Sequence, residues 1–160
     1  MNWLYSITIL KIRKKSDFLI FCKIKMSYRE KFQEDAKFGF QMEKDIFETL
    51  KSFLKCDLKQ KKRYDIFDYE SETHLVELKT RRCNSTTYKD TMMPMNKINY
   101  CKTTEKDVYF FFQFNDGLFY WKYSNDDLEK LRFDKGGRVD RSRIEIKQYC
   151  FIPYDLLVAM

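Results

Sequence analysis

The sequence predicts an α/β domain with a mixed central β-sheet that is flanked by helices. Two observations lead to this prediction. Apolar residues recur with a period of two in two hairpin-like segments, and segments with helical periodicity alternate with these hairpins along the chain. The chain has 160 residues with only 4 Gly and 2 Pro. This length suits a single core with short connections, and the composition excludes linker-rich and low-complexity proteins.

The N-terminal segment, residues 1–27, differs from the rest of the chain because it is basic and rich in β-branched residues. Two interpretations stay open. The segment is either an appendage or upstream extension, with an alternative start at Met26, or it contributes an edge strand at roughly 4–12. We therefore expect a basic N-terminal appendage over 1–27 and a single domain over 28–160.

The positive charge of the protein is unevenly distributed. Of its 31 Lys and Arg and 24 Asp and Glu residues, eight basic and two acidic ones lie within residues 1–31. The remainder therefore has 23 basic and 22 acidic residues, although the whole chain has a net charge of +7. Because the field of this nearly neutral body is weak, affinity for nucleic acid has to come from local placement of charge.

The cysteine and histidine content argues against metal sites built from Cys or His side chains. The 5 cysteines form no CxxC pair, and His74 is the single histidine, which we interpret as an ordinary strand-edge residue. Scattered cysteines in odd number indicate reduced thiols, and thus an intracellular compartment, cytoplasmic or nuclear. The first apolar run, Trp3–Leu10, is too short to cross a bilayer, so we expect no membrane partner.

The first predicted element of the domain is a helix from about Tyr28 to Leu54. Its apolar residues follow one another at helical spacing, with Glu43 inside the apolar seam: Ala36, Phe40, Phe47, Leu50 and Leu54. A carboxylate there is costly unless something satisfies it. Glu43 is either paired with a lysine at the edge of the seam or has a functional role.

The remaining elements follow from changes in period and from turn residues. Seven segments are predicted after the first helix: strands Tyr64–Tyr69 and His74–Thr80 around the polar Glu70–Thr73, a short helix around Asn96–Thr104, strands Val108–Phe114 and Leu118–Tyr123 around an Asn-Asp-Gly turn, a small helix Asn125–Leu131, and a strand Arg143–Ile152. The continuous aromatic residues at 109–112 are typical of a strand that is covered on both faces.

The first hairpin carries the candidate chemistry. On a strand, Glu77 and Lys79 project to one face, whereas Leu78 points to the other, toward a core. If the hairpin turns over 70–72, Asp65 lies directly opposite Glu77 on that same face. Two carboxylates and an ammonium group would then converge, and like charges at that distance demand a cation or raise one pKa. Oxygen ligands of this kind suit Mg²⁺.

The acid-x-Lys triplet alone is weak, since the sequence contains four of them, which begin at Asp35, Asp57, Glu77 and Glu145. Their contexts separate them. The Glu77 triplet is the one on a strand that is preceded by a strand Asp and a helical Glu and is followed by a helix.

This arrangement resembles the PD-(D/E)xK nuclease superfamily, which has the restriction-endonuclease-like fold. The matching residues are Glu43, Asp65, Glu77 and Lys79, and the resemblance covers roughly residues 36–123. Tyr64 stands where the family name puts Pro, which leaves Asp65 and Asp68 as alternatives for the metal-binding role. The chain is also similar to small stand-alone members carried by large DNA viruses.

The resemblance implies a Mg²⁺-dependent endodeoxyribonuclease that hydrolyses phosphodiester bonds in DNA, with Mn²⁺ as a substitute metal. Its implied metal ligands are Asp65, Glu77, the Leu78 carbonyl and Glu43. Lys79 would orient or deprotonate the attacking water. The implied DNA contacts are Lys97, Arg81 and Arg82. Homodimerisation is a candidate assembly, since many proteins of this fold dimerise.

Two alternatives remain open. The first is a catalytically inactive nucleic-acid-binding module of the same fold, which the nearly neutral body favours. The second is a protein-interaction domain in which the carboxylates form a structural salt-bridge cluster with Lys79 and Arg81. The three interpretations differ in whether the protein cuts DNA, binds it without cutting, or does neither.

Overall fold

The structure is a computed structural model that describes residues 41–62, 64–137 and 146–160, and also Glu30, Gln33, Lys37 and Gly39. The chain divides into two compact units, Met1–Phe38 and Gly39–Met160. The three described residues of the first unit are all helical. The predictions for residues 1–27 fall outside the described residues, and the account below concerns the second unit.

The first helix, α1, covers 41–54, so the helical pattern is confirmed over that part of the predicted range. Ile46 and Leu50 are buried one turn apart, and Phe47 and Leu54 pack beside them. The predicted seam residues Ala36 and Phe40 lie outside the described residues. The helix ends where Lys55 takes a left-handed conformation (φ 50°), which is a common way to end a helix.

Nine strands and a second helix follow among the described residues. The strands are β1 Lys59–Gln60, β2 Tyr69–Glu70, β3 His74–Thr80, β4 Asp90–Pro94, β5 Asp107–Phe114, β6 Gly117–Lys122, β7 Arg132–Gly136, β8 Lys147–Pro153 and β9 Val158–Ala159. The helix α2, Met95–Cys101, connects β4 to β5. A 3₁₀ helix, Asn125–Lys130, lies where the sequence predicts a small helix and is capped by the Ser124 side chain.

The main sheet has the order β1-β2-β3-β5-β6-β9. Strands β3 and β5 run parallel, whereas the other neighbours are antiparallel, so the predicted mixed sheet is confirmed. The hairpin β5–β6 turns at the predicted Asn-Asp-Gly segment. Phe110, Phe111 and Phe112 are fully buried, which confirms the prediction that both faces of β5 are covered.

A second sheet, with the order β4-β8-β7, was not predicted apart from β8. Strand β4 is short, and no strand is predicted in its segment. Every residue of β7 is exposed or half-buried, so its sequence carries no apolar period. These strands form because all five residues of each one pair with β8, which is a tertiary effect.

The register of the first hairpin corrects our prediction. Tyr69 pairs with Val76 and Glu70 pairs with Leu75, and residues 64–68 form a loop rather than a strand. The turn is set by Ser71, whose Oγ accepts hydrogen bonds from the backbone N–H groups of residues 73 and 74 at 3.3 and 3.0 Å. The turn therefore lies later than we assumed, and Asp68 rather than Asp65 approaches Glu77.

The main sheet separates two hydrophobic clusters. On one face, α1 packs Ile46 and Leu50 against a group that includes Val76 and Leu78. On the other face, the second sheet and α2 cover a larger cluster that includes Leu75. Since side chains alternate along β3, Glu77 and Lys79 project to this second face. No described helix is both long enough and apolar enough to cross a membrane.

We predict that Leu50→Ala destabilises the protein by about 2–5 kcal/mol, because Leu50 is fully buried between α1 and the sheet. The free energy of unfolding in urea measures this loss. Glu48→Ala, at an exposed position on the same helix, should change it by less than about 0.5 kcal/mol. Equal losses in the two variants would contradict the packing of α1 against the sheet.

Candidate active site

Glu77 is the centre of the candidate site. Its side chain is 0% exposed in the middle of β3, beside the buried Phe110 of β5. A buried carboxylate is costly unless cations and hydrogen bonds compensate it. Two ammonium groups do so: Lys79 forms an ion pair with Oε1, and Lys97 forms an ion pair with Oε2.

One oxygen of this carboxylate remains incompletely satisfied. Glu77 Oε1 is buried and has no hydrogen-bond partner among the described residues, because the ammonium group of Lys79 approaches it outside hydrogen-bonding geometry. Burial raises the pKa of Glu77, and the charge of Asp68 raises it further, whereas the two lysines oppose this rise. The site thus holds an oxygen ligand with an unused lone pair.

Asp68 takes the position for which we had favoured Asp65. Its Oδ2 accepts a hydrogen bond from the backbone N–H of Leu78 at 2.8 Å, and its own N–H donates to the Val76 carbonyl at 3.1 Å. Asp65 instead accepts a hydrogen bond from the backbone N–H of Lys62 at 3.0 Å and faces Lys61 at 3.9 Å. Of the two alternatives that the sequence left open, the structure brings Asp68 to Glu77.

The backbone of Leu78 faces the same edge of β3. A residue's N–H and C=O groups point to the same side of a strand, and the N–H of Leu78 is bonded to Asp68. Strand β2 does not extend as far as Leu78. Its first residue, Tyr69, pairs with Val76, and its second residue lies closer to the turn. The Leu78 carbonyl therefore lies at an edge that no described strand covers, while the Leu78 side chain packs toward α1, as the sequence predicted.

Glu43 approaches this edge from α1. Its backbone carbonyl accepts a hydrogen bond from the Tyr69 hydroxyl at 3.1 Å, which ties the helix to β2. Burial raises the pKa of Glu43, the Asp68 charge raises it further, and the Lys79 charge opposes the rise. Glu43, Asp68 and Lys79 are thus close enough for their charges to interact, although α1 covers the opposite face of the sheet.

Lys79 is held between negative groups. Burial alone would lower the pKa of Lys79, but the charges of Glu77 and Asp68 outweigh that effect and raise it. The ammonium group therefore keeps its proton next to the carboxylates, where it supplies positive charge to the site.

Lys97, which we had assigned to DNA contacts, projects from α2 into the site. Its ammonium group contacts Glu77 and the Ile66 carbonyl, and lies 5.5 Å from the centre of the Phe67 ring. The family resemblance implied a basic residue at Lys97 for DNA contact but not its pairing with Glu77. That pairing depends on how α2 packs on the sheet.

The other two predicted DNA contacts have different environments. Arg82 is exposed. Arg81 binds inward, where its Nη2 donates to the Met92 carbonyl at 2.7 Å and its Nε donates to Thr91 Oγ1 at 3.4 Å. The structure therefore leaves Arg82 at the surface and links Arg81 to strand β4.

The residues at this edge fit a hard divalent cation by the chemistry of their donors. Carboxylate and carbonyl oxygens are the ligands that Mg²⁺ prefers, and Glu77 Oε1 has no hydrogen-bond partner in the described part of the chain. The arrangement is not a complete cage, since the described residues contain no group of three or more His, Cys, Asp or Glu spaced to hold a metal. Mg²⁺ commonly takes one or two carboxylates and completes its shell with water and phosphate.

Comparison with known proteins adds an independent finding. The family model described as "Phage putative PDDEXK endonuclease" matches residues 27–157 of this chain. A search of curated proteins and a search of solved structures each found no match.

We predict that Lys97→Met destabilises the protein by about 3 kcal/mol, because Glu77 stays buried with one cation fewer. Urea unfolding near neutral pH measures the loss. The matched control is Lys122→Met, which removes an exposed ion pair with Asp107 and should cost less than about 1 kcal/mol. If the two variants lose the same stability, the pairing of Lys97 with Glu77 does not hold in solution.

Proposed function

The chain belongs to the phage PDDEXK endonuclease family, and from this premise we propose that it is a Mg²⁺-dependent nuclease that hydrolyses phosphodiester bonds in DNA. The family, together with the mixed sheet and its flanking helices, confirms the predicted restriction-endonuclease-like fold. The observation that carries the proposal is the buried Glu77, which has an unsatisfied oxygen and lies between Lys79 and Asp68.

The proposed metal ligands are oxygen atoms at the uncovered edge of β3. They are the carboxylates of Glu77 and Asp68 and the Leu78 carbonyl, with Glu43 joining directly or through water. Asp68 replaces Asp65 in this set because of the hairpin register. Held by these residues, Mg²⁺ would supply Lewis-acid chemistry that polarises the scissile phosphate and activates water for attack.

The lysines of the site bind and orient the reactants. Lys79, whose ammonium group stays protonated beside Glu77 and Asp68, orients the attacking water and offsets charge in the transition state. Lys97 holds Glu77 in position and supplies a second positive charge. The exposed Arg82 is placed to contact a phosphate of the DNA backbone.

A second candidate function has one specific observation in its favour. Because Lys79 and Lys97 already neutralise Glu77, the site is electrostatically balanced without a metal. A module that binds nucleic acid without cutting it, or a protein-interaction domain, would need no more than this balance. The unsatisfied Oε1 and the family favour the nuclease.

We expect the purified protein to cleave plasmid or branched DNA with Mg²⁺ or Mn²⁺ and to lose activity with a chelator. Glu77→Ala, Lys79→Ala and Asp68→Ala should each lower the cleavage rate at least about 100-fold, because each removes a metal ligand or a charge at the reacting phosphate. Gel-based cleavage rates measure the effect. Asp65→Ala and Lys147→Ala serve as matched controls that should keep the wild-type rate, since both residues lie outside the site.

The other interpretations predict different results. DNA binding that weakens steeply with salt but never leads to cleavage would support the binding module. If the protein neither binds nor cuts DNA, the interaction domain remains. Activity that is lost in Asp65→Ala but kept in Asp68→Ala would contradict the proposed ligand set.

Metal binding can be tested without cleavage. Mg²⁺ at 100 times its dissociation constant should stabilise the wild-type protein by about 2.7 kcal/mol, because it binds the folded state. The melting temperature at increasing Mg²⁺ concentration measures this. Asp68→Asn should reduce the rise in melting temperature that Mg²⁺ causes, whereas Asp65→Asn should not. The same increase in all three proteins would show that the metal binds elsewhere.

A further inference from the structure

A cavity of about 330 Å³ opens next to the candidate site, between the end of β3 and the second sheet. Its volume is at the lower end of the range of small-ligand pockets. Its wall is mainly apolar, with Met92 of β4, Phe114 of β5, Phe151 of β8 and Tyr154 among the residues that line it. A cavity of this size and lining suits one planar aromatic group.

Arg81 brings a positive charge into this apolar wall. The two acceptors of its side chain, the Met92 carbonyl and Thr91 Oγ1, are both neutral, and no salt bridge joins Arg81 to a carboxylate within the described residues. Asp90, the acidic residue in the wall, is paired with Arg132 at 3.1 Å. Burial lowers the pKa of Arg81, as expected for a cation that lacks a close counter-ion.

A guanidinium group has five N–H donors, so the two contacts of Arg81 leave donors for an anionic ligand. Planar bidentate recognition of phosphate is the usual role of arginine in such a setting. Arg81 is half-buried and has no carboxylate partner among the described residues, so together with the aromatic walls it fits a ligand that has both an aromatic ring and a phosphate.

The cavity is adjacent to the reacting groups on the same strand. The backbone N–H of Arg81 donates to the Gln113 carbonyl at 2.7 Å, which continues the pairing of β3 with β5 past Thr80. Arg81 and Lys79 therefore lie on the same face, about 7 Å apart along the strand. The charge of Glu77 also reaches Arg81. A phosphate on Arg81 would thus be a close neighbour of the phosphate that is cleaved.

We propose that this cavity binds one unpaired nucleotide of the DNA strand being cut, with a phosphate on Arg81 and the base among Phe114, Phe151 and Tyr154. The inference rests on the proposed nuclease function and names its substrate class: DNA with an unpaired nucleotide next to the cleaved bond. A base pair is too large for the cavity, whereas a single base can enter it and stack on aromatic rings. Tyr88, 67% exposed at the wall, offers a further stacking surface.

The test compares binding of two DNA probes to a full-length chain that does not cut. The protein is the Lys79→Ala variant, and the probes are a matched duplex and the same duplex with one unpaired 2-aminopurine nucleotide. We expect the unpaired probe to bind at least about 10-fold more tightly by fluorescence anisotropy, and its 2-aminopurine fluorescence to be quenched by stacking in the cavity.

A second substitution fills the cavity without touching the core. Asn84 is exposed and lines the cavity. Adding Asn84→Trp to the Lys79→Ala variant should therefore abolish both the preference for the unpaired probe and the quenching of 2-aminopurine. Thr86→Trp places the same side chain two residues away, at an exposed position outside the lining, and should leave both unchanged. Melting temperatures of the variants verify that each is folded.

The outcomes separate this inference from the proposed function. Equal affinity for the two probes, or a preference that survives Asn84→Trp, overturns the nucleotide pocket. If the wild-type protein still cleaves plasmid DNA in that case, the nuclease function survives. A preference with quenching that Asn84→Trp abolishes supports the pocket, even if the wild-type protein cleaves nothing.

Discussion

The burial of the Glu77 carboxylate between two ammonium groups is the interaction on which the rest of the site depends. A lone carboxylate in the middle of β3 would oppose folding, so Lys79 from the same strand and Lys97 from α2 are needed to hold it. Because Lys97 also contacts the Ile66 carbonyl, the same lysine fixes the loop that leads to Asp68. One electrostatic cluster thus sets the positions of a strand, a helix and a loop.

The fold brings acidic groups from both faces of the sheet to one edge. Helix α1 packs on the Leu78 face, yet Glu43 interacts with Asp68 and Lys79 because β2 stops after two residues. The Tyr69 hydroxyl links that short strand to the backbone of Glu43. The brevity of β2 is therefore what allows groups from opposite faces of the sheet to meet.

The sequence was sufficient to predict β3, the aromatic core of β5, the hairpin β5–β6, and the roles of Glu77 and Lys79 in one cluster, because these depend on local period and turn residues. The choice between Asp65 and Asp68 depended on the position of the hairpin turn. Hydrogen bonds to the Ser71 side chain set that position, and the hydrophobic period of the strands does not reveal them. Strands β4 and β7 and the inward path of Lys97 depend on tertiary pairing, for which the sequence has no local signal.

The two-residue length of β2 also has a consequence for solubility. Past Val76, the backbone of β3 has no strand beside it on the β2 side among the described residues, and such edges invite pairing with a strand from another molecule. Here the charged side chains of Asp68, Lys79 and Glu43 surround that edge, and the Asp68 carboxylate already accepts the hydrogen bond of the Leu78 N–H group. An incoming strand would have to desolvate these charges, so the residues proposed for catalysis also protect the protein from aggregation through its own sheet.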